Sequence, residues 1–111
     1  MEIAESTAGA IGVVAPKGPL CGDDARAVRE TVFAAIAKRR GRVVVDLGAV
    51  PFADSVGLEA LLDVSDALAE SGRSLKLVNV GATMREALDI VGIGALFEQY
   101  PDVHAAARSF L

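Results

Sequence analysis

Asp54 and Ser55 set a carboxylate beside a hydroxyl where two kinds of local structure meet. Upstream, Val43-Val44-Val45-Asp46-Leu47 is apolar without alternation, as expected of a strand covered on both faces. Downstream, apolar residues recur at helical spacing from about Ser55 to Ser71. The pair therefore falls at the mouth of a helix, where backbone N–H groups lack intrahelical acceptors and a phosphate is physically welcome. With Asp54 at the N-cap, its carboxylate can accept from the N–H of Val56 or Gly57, worth on the order of 1 kcal/mol. Ser55 is then free to point outward. Gly57 leaves room over the helix start at a cost of roughly 0.5–1 kcal/mol against alanine, which suggests close approach by another group. The plainer reading is a helix start and nothing more.

A second pattern follows on the same helix. Val56, Glu59, Asp63, Asp66 and Glu70 step by three or four and share one side. No lysine or arginine is interleaved to pair with these acids. Such a ridge is either a solvated face or a dock for a basic groove, and the missing compensation favours the dock. A phosphate on Ser55 would add about −1.5 to −2 charge at neutral pH. The helix N-terminus tolerates that charge, whereas a partner closed over Asp54 would not. Such a switch needs a changed surface and no change of fold.

The elements around this junction form an alternating series. Glu2 to Ser6 and Ala10 to Ala15 read as strands of a hairpin turning at Thr7-Ala8-Gly9. A helix is predicted from Asp23 or Asp24, with Val28, Val32, Ala35 and Ile36 as its apolar stripe. Lys38, Arg39 and Arg40 sit in its last turn, where cations suit the dipole, and Gly41 is a plausible C′ residue. In the helix after Ser55, Leu58, Leu61, Leu62, Ser65 and Leu68 have inward spacing, and Gly72 ends it. Leu75 to Val80 reads as a strand. Thr83 and Glu86 suggest a capping box for a helix from about Met84 to Val91. Leu96 to Gln99 reads as a last short strand, and Pro101-Asp102 opens a final helix offering Val103, Ala106, Ala107 and Phe110 for packing. The predicted order β-β-α-β-α-β-α-β-α implies right-handed crossovers and a largely parallel α/β sheet of about five strands with four helices, opened by a β-hairpin.

Composition narrows the classes. The 111 residues suit one domain, expected to span 1–111, and 52% of them are hydrophobic, enough for a core without metals or disulfides. The formal charge of −4 disfavours nucleic acid and suits a basic protein partner. The single cysteine, Cys21, excludes an internal disulfide and fits a reducing cytosol. The first residues carry no basic segment followed by an apolar run, and no stretch is long enough to span a bilayer. A cytoplasmic location and no membrane insertion are expected.

Enzymatic chemistry lacks its residues. His104, the only histidine, has no partner at metal-ligand spacing, and Cys21 has no base beside it while Asp23 and Asp24 oppose a thiolate. Lys17 lacks the glycine-rich loop of a phosphate-binding motif, and Ser55 lacks the Gly-x-Ser-x-Gly elbow of a hydrolase nucleophile. Neither a metal nor a cofactor is expected.

The element order, together with Val44-Val45-Asp46-Leu47, Val50, Phe52 and the run Asp54-Ser55-Val56-Gly57-Leu58, resembles a STAS domain, most of all the stand-alone bacterial anti-sigma factor antagonist. Gly18-x-Leu20, Asn79-Val80 and Leu88 to Ile93 extend the resemblance over essentially the whole chain. It implies partner switching. A serine-kinase anti-sigma factor would bind the unmodified domain and release its sigma factor. That kinase, using ATP, would phosphorylate the residue matching Ser55, and a PP2C-type phosphatase would restore binding. The docking surface would then comprise Phe52, Ala53, Asp54, Ser55, Val56, Glu59, Asp63 and Asp66, with Gly57 beside the phosphosite. Two positions depart from the pattern. Cys21 stands where relatives commonly have aspartate, and Val56 where many have serine or alanine. Other STAS-like domains imply a different role without a phosphorylation cycle, as accessory subunits of membrane transport ATPases or parts of larger signalling complexes.

Overall fold

The computed structural model describes residues 1–111. Strand β1 (Glu2–Ala8) and strand β2 (Ile11–Lys17) form an antiparallel hairpin in which Ala8 faces Ile11. Its turn is Gly9-Ala10, one to two residues later than the sequence suggested. Gly9 has φ 63° while Ala10 stays at negative φ, the sign pattern of the type II′ turn that matches strand twist. Helix α1 (Gly22–Arg39), strand β3 (Val43–Asp46), helix α2 (Ser55–Ala69), strand β4 (Lys76–Val78), helix α3 (Ala82–Ile90), strand β5 (Glu98–Tyr100) and helix α4 (Val103–Arg108) follow. The five strands lie side by side in chain order, and every pairing after the hairpin is parallel. The α/β architecture expected from the alternating pattern is the one observed.

Alternation along the central strands separates two cores. Val43, Val45, Leu75 and Leu77 face the cluster that holds Val28 and Val32 of α1, Leu61 and Val64 of α2, and Met84 and Leu88 of α3. Val44 and Val78 face the other way, with Ile11 and Ala106, against Tyr100, Val103 and Phe110. Helices α1 to α3 thus cover one face and α4 part of the other. Because β3 is buried on both faces it shows no polar alternation, which is why its sequence is a plain valine run.

Several element ends differ from expectation. Helix α1 starts at Gly22 with Cys21 as N-cap, so Asp23 and Asp24 occupy its first turn and do not cap it. It ends on Arg40 in the left-handed region, φ 55°, followed by Gly41 at φ 83°. The Thr83/Glu86 capping box does not form. Asn79, at φ 55°, turns the chain at once, the helix is established by Ala82 behind Gly81, and Thr83 lies exposed inside it. The last strand starts at Glu98, because Gly94–Leu96 wind into a 3-10 turn that leaves Leu96 exposed and directs Phe97 into the core. Asp102 caps α4 as expected, accepting from the N–H of Ala105 at 2.8 Å.

Candidate functional site

The parallel strands end on one edge of the sheet, and the loops leaving them carry the candidate site. From β2 the chain passes through Gly18 and Pro19 to Leu20, which forms an isolated parallel bridge with Ala53. The Leu20 N–H donates to Phe52 O at 3.0 Å and the Asp54 N–H donates to Leu20 O at 3.2 Å. The loop before α2 is thereby stitched to the loop before α1, and the two helix mouths lie together.

Asp54 joins them. Its Oδ1 accepts from the N–H of Gly57 at 2.9 Å, the N-cap bond the sequence suggested. Its Oδ2 accepts from the N–H of Gly22 at 3.1 Å, in the first turn of α1. One carboxylate therefore satisfies orphan donors of two helices, and α1 needs no cap from its own N-cap residue, Cys21. Nothing local in the sequence signals this second bond, because Gly22 is 32 residues away.

Ser55 is then left without a structural task. It is exposed, and its hydroxyl makes no hydrogen bond within the protein. The backbone N–H groups of Ser55 and Val56 likewise have no acceptor in the chain. A hydroxyl in solvent beside free N–H donors at the positive end of a 15-residue helix can receive a dianionic group without disturbing the fold. Gly57, by contrast, is buried. A methyl carbon built on it would sit 2.0 Å from the Leu20 carbonyl oxygen and 3.0 Å from the Ala53 side chain. The close approach that this glycine allows is internal: it admits the α1 loop.

The remaining predicted residues divide. Phe52 is 49% exposed, large for an aromatic, and Asp54, Glu59, Asp63 and Asp66 are exposed. Ala53 and Val56 are half-buried. The acidic ridge is less uncompensated than its own helix implied, because Arg29 of α1 reaches Asp63, Nε to Oδ2 2.8 Å, while stacking over Phe33. Val56, Glu59 and Asp63 line a shallow groove with Arg26, Arg29 and Glu30 of α1. Glu59, Asp66 and Glu70 keep no ion-pair partner. A polar knot missed by sequence reasoning lies at the same sheet edge: Asp46 Oδ1 accepts from the Gly48 N–H at 2.9 Å and from Asn79 Nδ2 at 3.1 Å. It ties the end of β3 to the end of β4 and supports the edge from which α2 departs.

A family model described as the STAS domain matches residues 3–106. The chain belongs to the STAS family. Among solved structures, this STAS domain is similar to a putative anti-sigma factor antagonist from Thermotoga maritima, with TM-score 0.85 and 17% identity, covering 96% of this chain and 92% of that one. It is also similar to an anti-sigma factor antagonist from Mycobacterium paratuberculosis, with TM-score 0.82, 24% identity and coverage of 97% and 92%. A third similar structure is the Bacillus anti-sigma factor antagonist SpoIIAA, whose phosphorylated form matches with TM-score 0.70, 20% identity and coverage of 97% and 99%. At these identities the likeness establishes the fold. Among curated proteins none matches the sequence.

Proposed function

We propose that this STAS domain is an anti-sigma factor antagonist: a protein-binding module whose docking surface surrounds Ser55 and is switched by phosphorylation there. The observation that carries the reading is the division of labour at α2. Asp54 performs the capping, and Ser55 keeps an exposed hydroxyl with no bond to the protein. The partner implied is a serine-kinase anti-sigma factor with a basic surface, meeting Phe52, Asp54, Glu59 and Asp66 beside the hydroxyl. The similar SpoIIAA structure in a phosphorylated form agrees with such a cycle.

In the forward step the Ser55 oxygen attacks the γ-phosphorus of ATP bound to the kinase. The new O–P bond forms as the bond to the β,γ-bridging oxygen breaks, ADP leaves, and the hydroxyl proton passes to a base of the kinase. The domain is substrate and ligand. The resulting phosphate lies beside the Asp54 carboxylate, and a complex desolvated over both would hold two negative groups in a low-dielectric contact. The partner leaves, and the fold persists because the helix dipole and the free N–H groups accept the charge. In the reverse step a PP2C-type phosphatase directs water to the phosphorus, the bond to the Ser55 oxygen breaks, inorganic phosphate leaves, and the serine oxygen takes up a proton to regenerate the hydroxyl. Such a cycle belongs in the cytoplasm, where ATP is present.

Incubation with the cognate kinase and ATP, read by intact mass, tests the reading. The native chain gains one phosphoryl group and Ser55→Ala gains none. A phosphoryl group on Ser55→Ala, or none on the native chain, contradicts it.

A further inference from the structure

Helix α4 is only six residues long and leaves part of its face of the sheet open. It packs against β3, β4 and β5 and reaches β1. A cavity of about 390 Å³ lies between the end of α4 and the turn of the hairpin. Ile11, Ala107 and Phe110 give it an apolar wall. Ile11 is buried, and Phe110 is half-buried with the Lys76 ammonium 4.5 Å from its ring centroid. Ala8, Gly9 and Ala10 form the side that belongs to the turn. Their small side chains leave the space unfilled, and a methyl carbon built on Gly9 would meet nothing within 4 Å.

The rest of the wall is basic. Arg42, His104 and Arg108 line the same cavity, and no aspartate or glutamate does. The grooves that hold Lys38 and Lys76 contain Glu5 and Glu98, so this cavity differs from them in lacking an acid. Arg42, His104 and Arg108 are exposed, and none takes part in the four ion pairs of the protein. The arginines whose side chains donate to the protein are Arg26, Arg29, Arg73 and Arg85. Arg42 and Arg108 therefore keep their planar donor forks free beside an apolar wall, a geometry that suits a carboxylate. The His104 ring adds an N–H donor.

We infer that this cavity binds a small amphipathic carboxylate, with its apolar body against Ile11, Ala107 and Phe110 and its charged end at the rim formed by Arg42 and Arg108. The volume falls within the range of small-molecule sites, whose walls are mostly apolar with a few polar groups that fix orientation. Inorganic phosphate would use the cations and gain nothing from the apolar wall. A neutral hydrocarbon would bury against Phe110 and leave both guanidinium groups without a counter-charge. The cavity opens at the sheet edge where β2 and β3 begin, opposite the edge that carries Ser55, so an occupant leaves the α2 surface uncovered.

Titration of the ¹⁵N-labelled full chain with decanoate below its micellar concentration, read by amide chemical shifts, tests this. Saturable shifts at Ile11, Ala107 and Phe110 are expected, with a dissociation constant of about 0.1–1 mM for a ligand of this size. Decanol, which has the same tail and no charge, binds about tenfold more weakly. Arg42→Gln with Arg108→Gln weakens decanoate about tenfold and leaves decanol unchanged. Ala8→Phe fills the cavity from a strand position that favours aromatics and abolishes binding of both. Thermal melting matched to the native chain shows that each variant folds. No saturable shift with decanoate, shifts centred on the Ser55 edge, equal affinity for decanol, or native affinity in either folded variant would each overturn the inference.

Discussion

At the scale of single residues, the site depends on two side chains doing different things with one backbone. Asp54 holds the N–H groups of Gly57 and Gly22, so Asp54→Ala leaves two donors unpaired and is expected to lower stability by about 2 kcal/mol in urea unfolding. Asp54→Asn keeps an acceptor oxygen for one of them and should lose about half as much. Gly57 has the steeper requirement. A methyl there meets the main chain of Leu20, which has no rotamer to move away. Gly57→Ala is expected to destabilise by roughly 3 kcal/mol, against the gain that alanine brings to an ordinary helix position. A stability equal to the native chain would show that the two loops separate freely. The sequence made Asp54 legible as a cap and Ser55 as an outward hydroxyl, because capping is a local rule. It marked Gly57 as a place of close approach without naming the neighbour, since the carbonyl that needs the space belongs to a loop 37 residues upstream.

At the scale of elements, hydrophobic spacing located every strand and helix, and the ends moved wherever a tertiary contact competed with a local signal. The cap of α1 passed from its own aspartates to Asp54, and the box at Thr83 gave way to the turn at Asn79. The acidic ridge looks uncompensated within α2 alone. Its partial neutralisation by Arg29 comes from α1 and could not be read within one helix. The junction of α1 and β3 offers a check. Arg40 occupies left-handed backbone that costs a branched-Cβ or long-chain residue about 1 kcal/mol and costs glycine nothing. Arg40→Gly is expected to raise the denaturation midpoint by an amount worth about 1 kcal/mol, despite adding a second glycine next to Gly41. A lower midpoint would mean that the arginine's packing outweighs its backbone strain.

At the scale of the whole molecule, the buried charge lies on one face of the sheet. On the face covered by α4, Lys76 is buried against the Phe110 and Tyr100 rings at 4.5 and 5.4 Å from their centroids, and its ammonium meets Glu98 at 3.1 Å. The Tyr100 hydroxyl donates to the same carboxylate at 2.7 Å. That hydrogen bond first, and Lys76 second, hold the Glu98 carboxyl below its ordinary value of 4.5. A carboxyl with a lowered folded-state pKa contributes stability that is complete above the ordinary value and is lost as pH falls through the lowered one. Thermal melting from neutral pH to below pH 4.5 should therefore show an acid-side loss that Glu98→Gln reduces. An identical acid limb in both proteins would place the linkage elsewhere. The edge that carries Ser55 lies clear of this pair, so acid loosening of the α4 face and the proposed switching at α2 are separable.

The central claim is that one hydroxyl at the start of α2 decides whether a partner can close over this surface. The most direct measurement is the affinity of the kinase anti-sigma factor for the native chain before and after modification, with Ser55→Ala and Ser55→Asp in parallel. A complex held by native and Ser55→Ala chains, and weakened at least tenfold by phosphorylation and to a lesser degree by Ser55→Asp, is the expected result, since about 1.4 kcal/mol of repulsion suffices for that factor. Equal affinity for all four forms would contradict the claim.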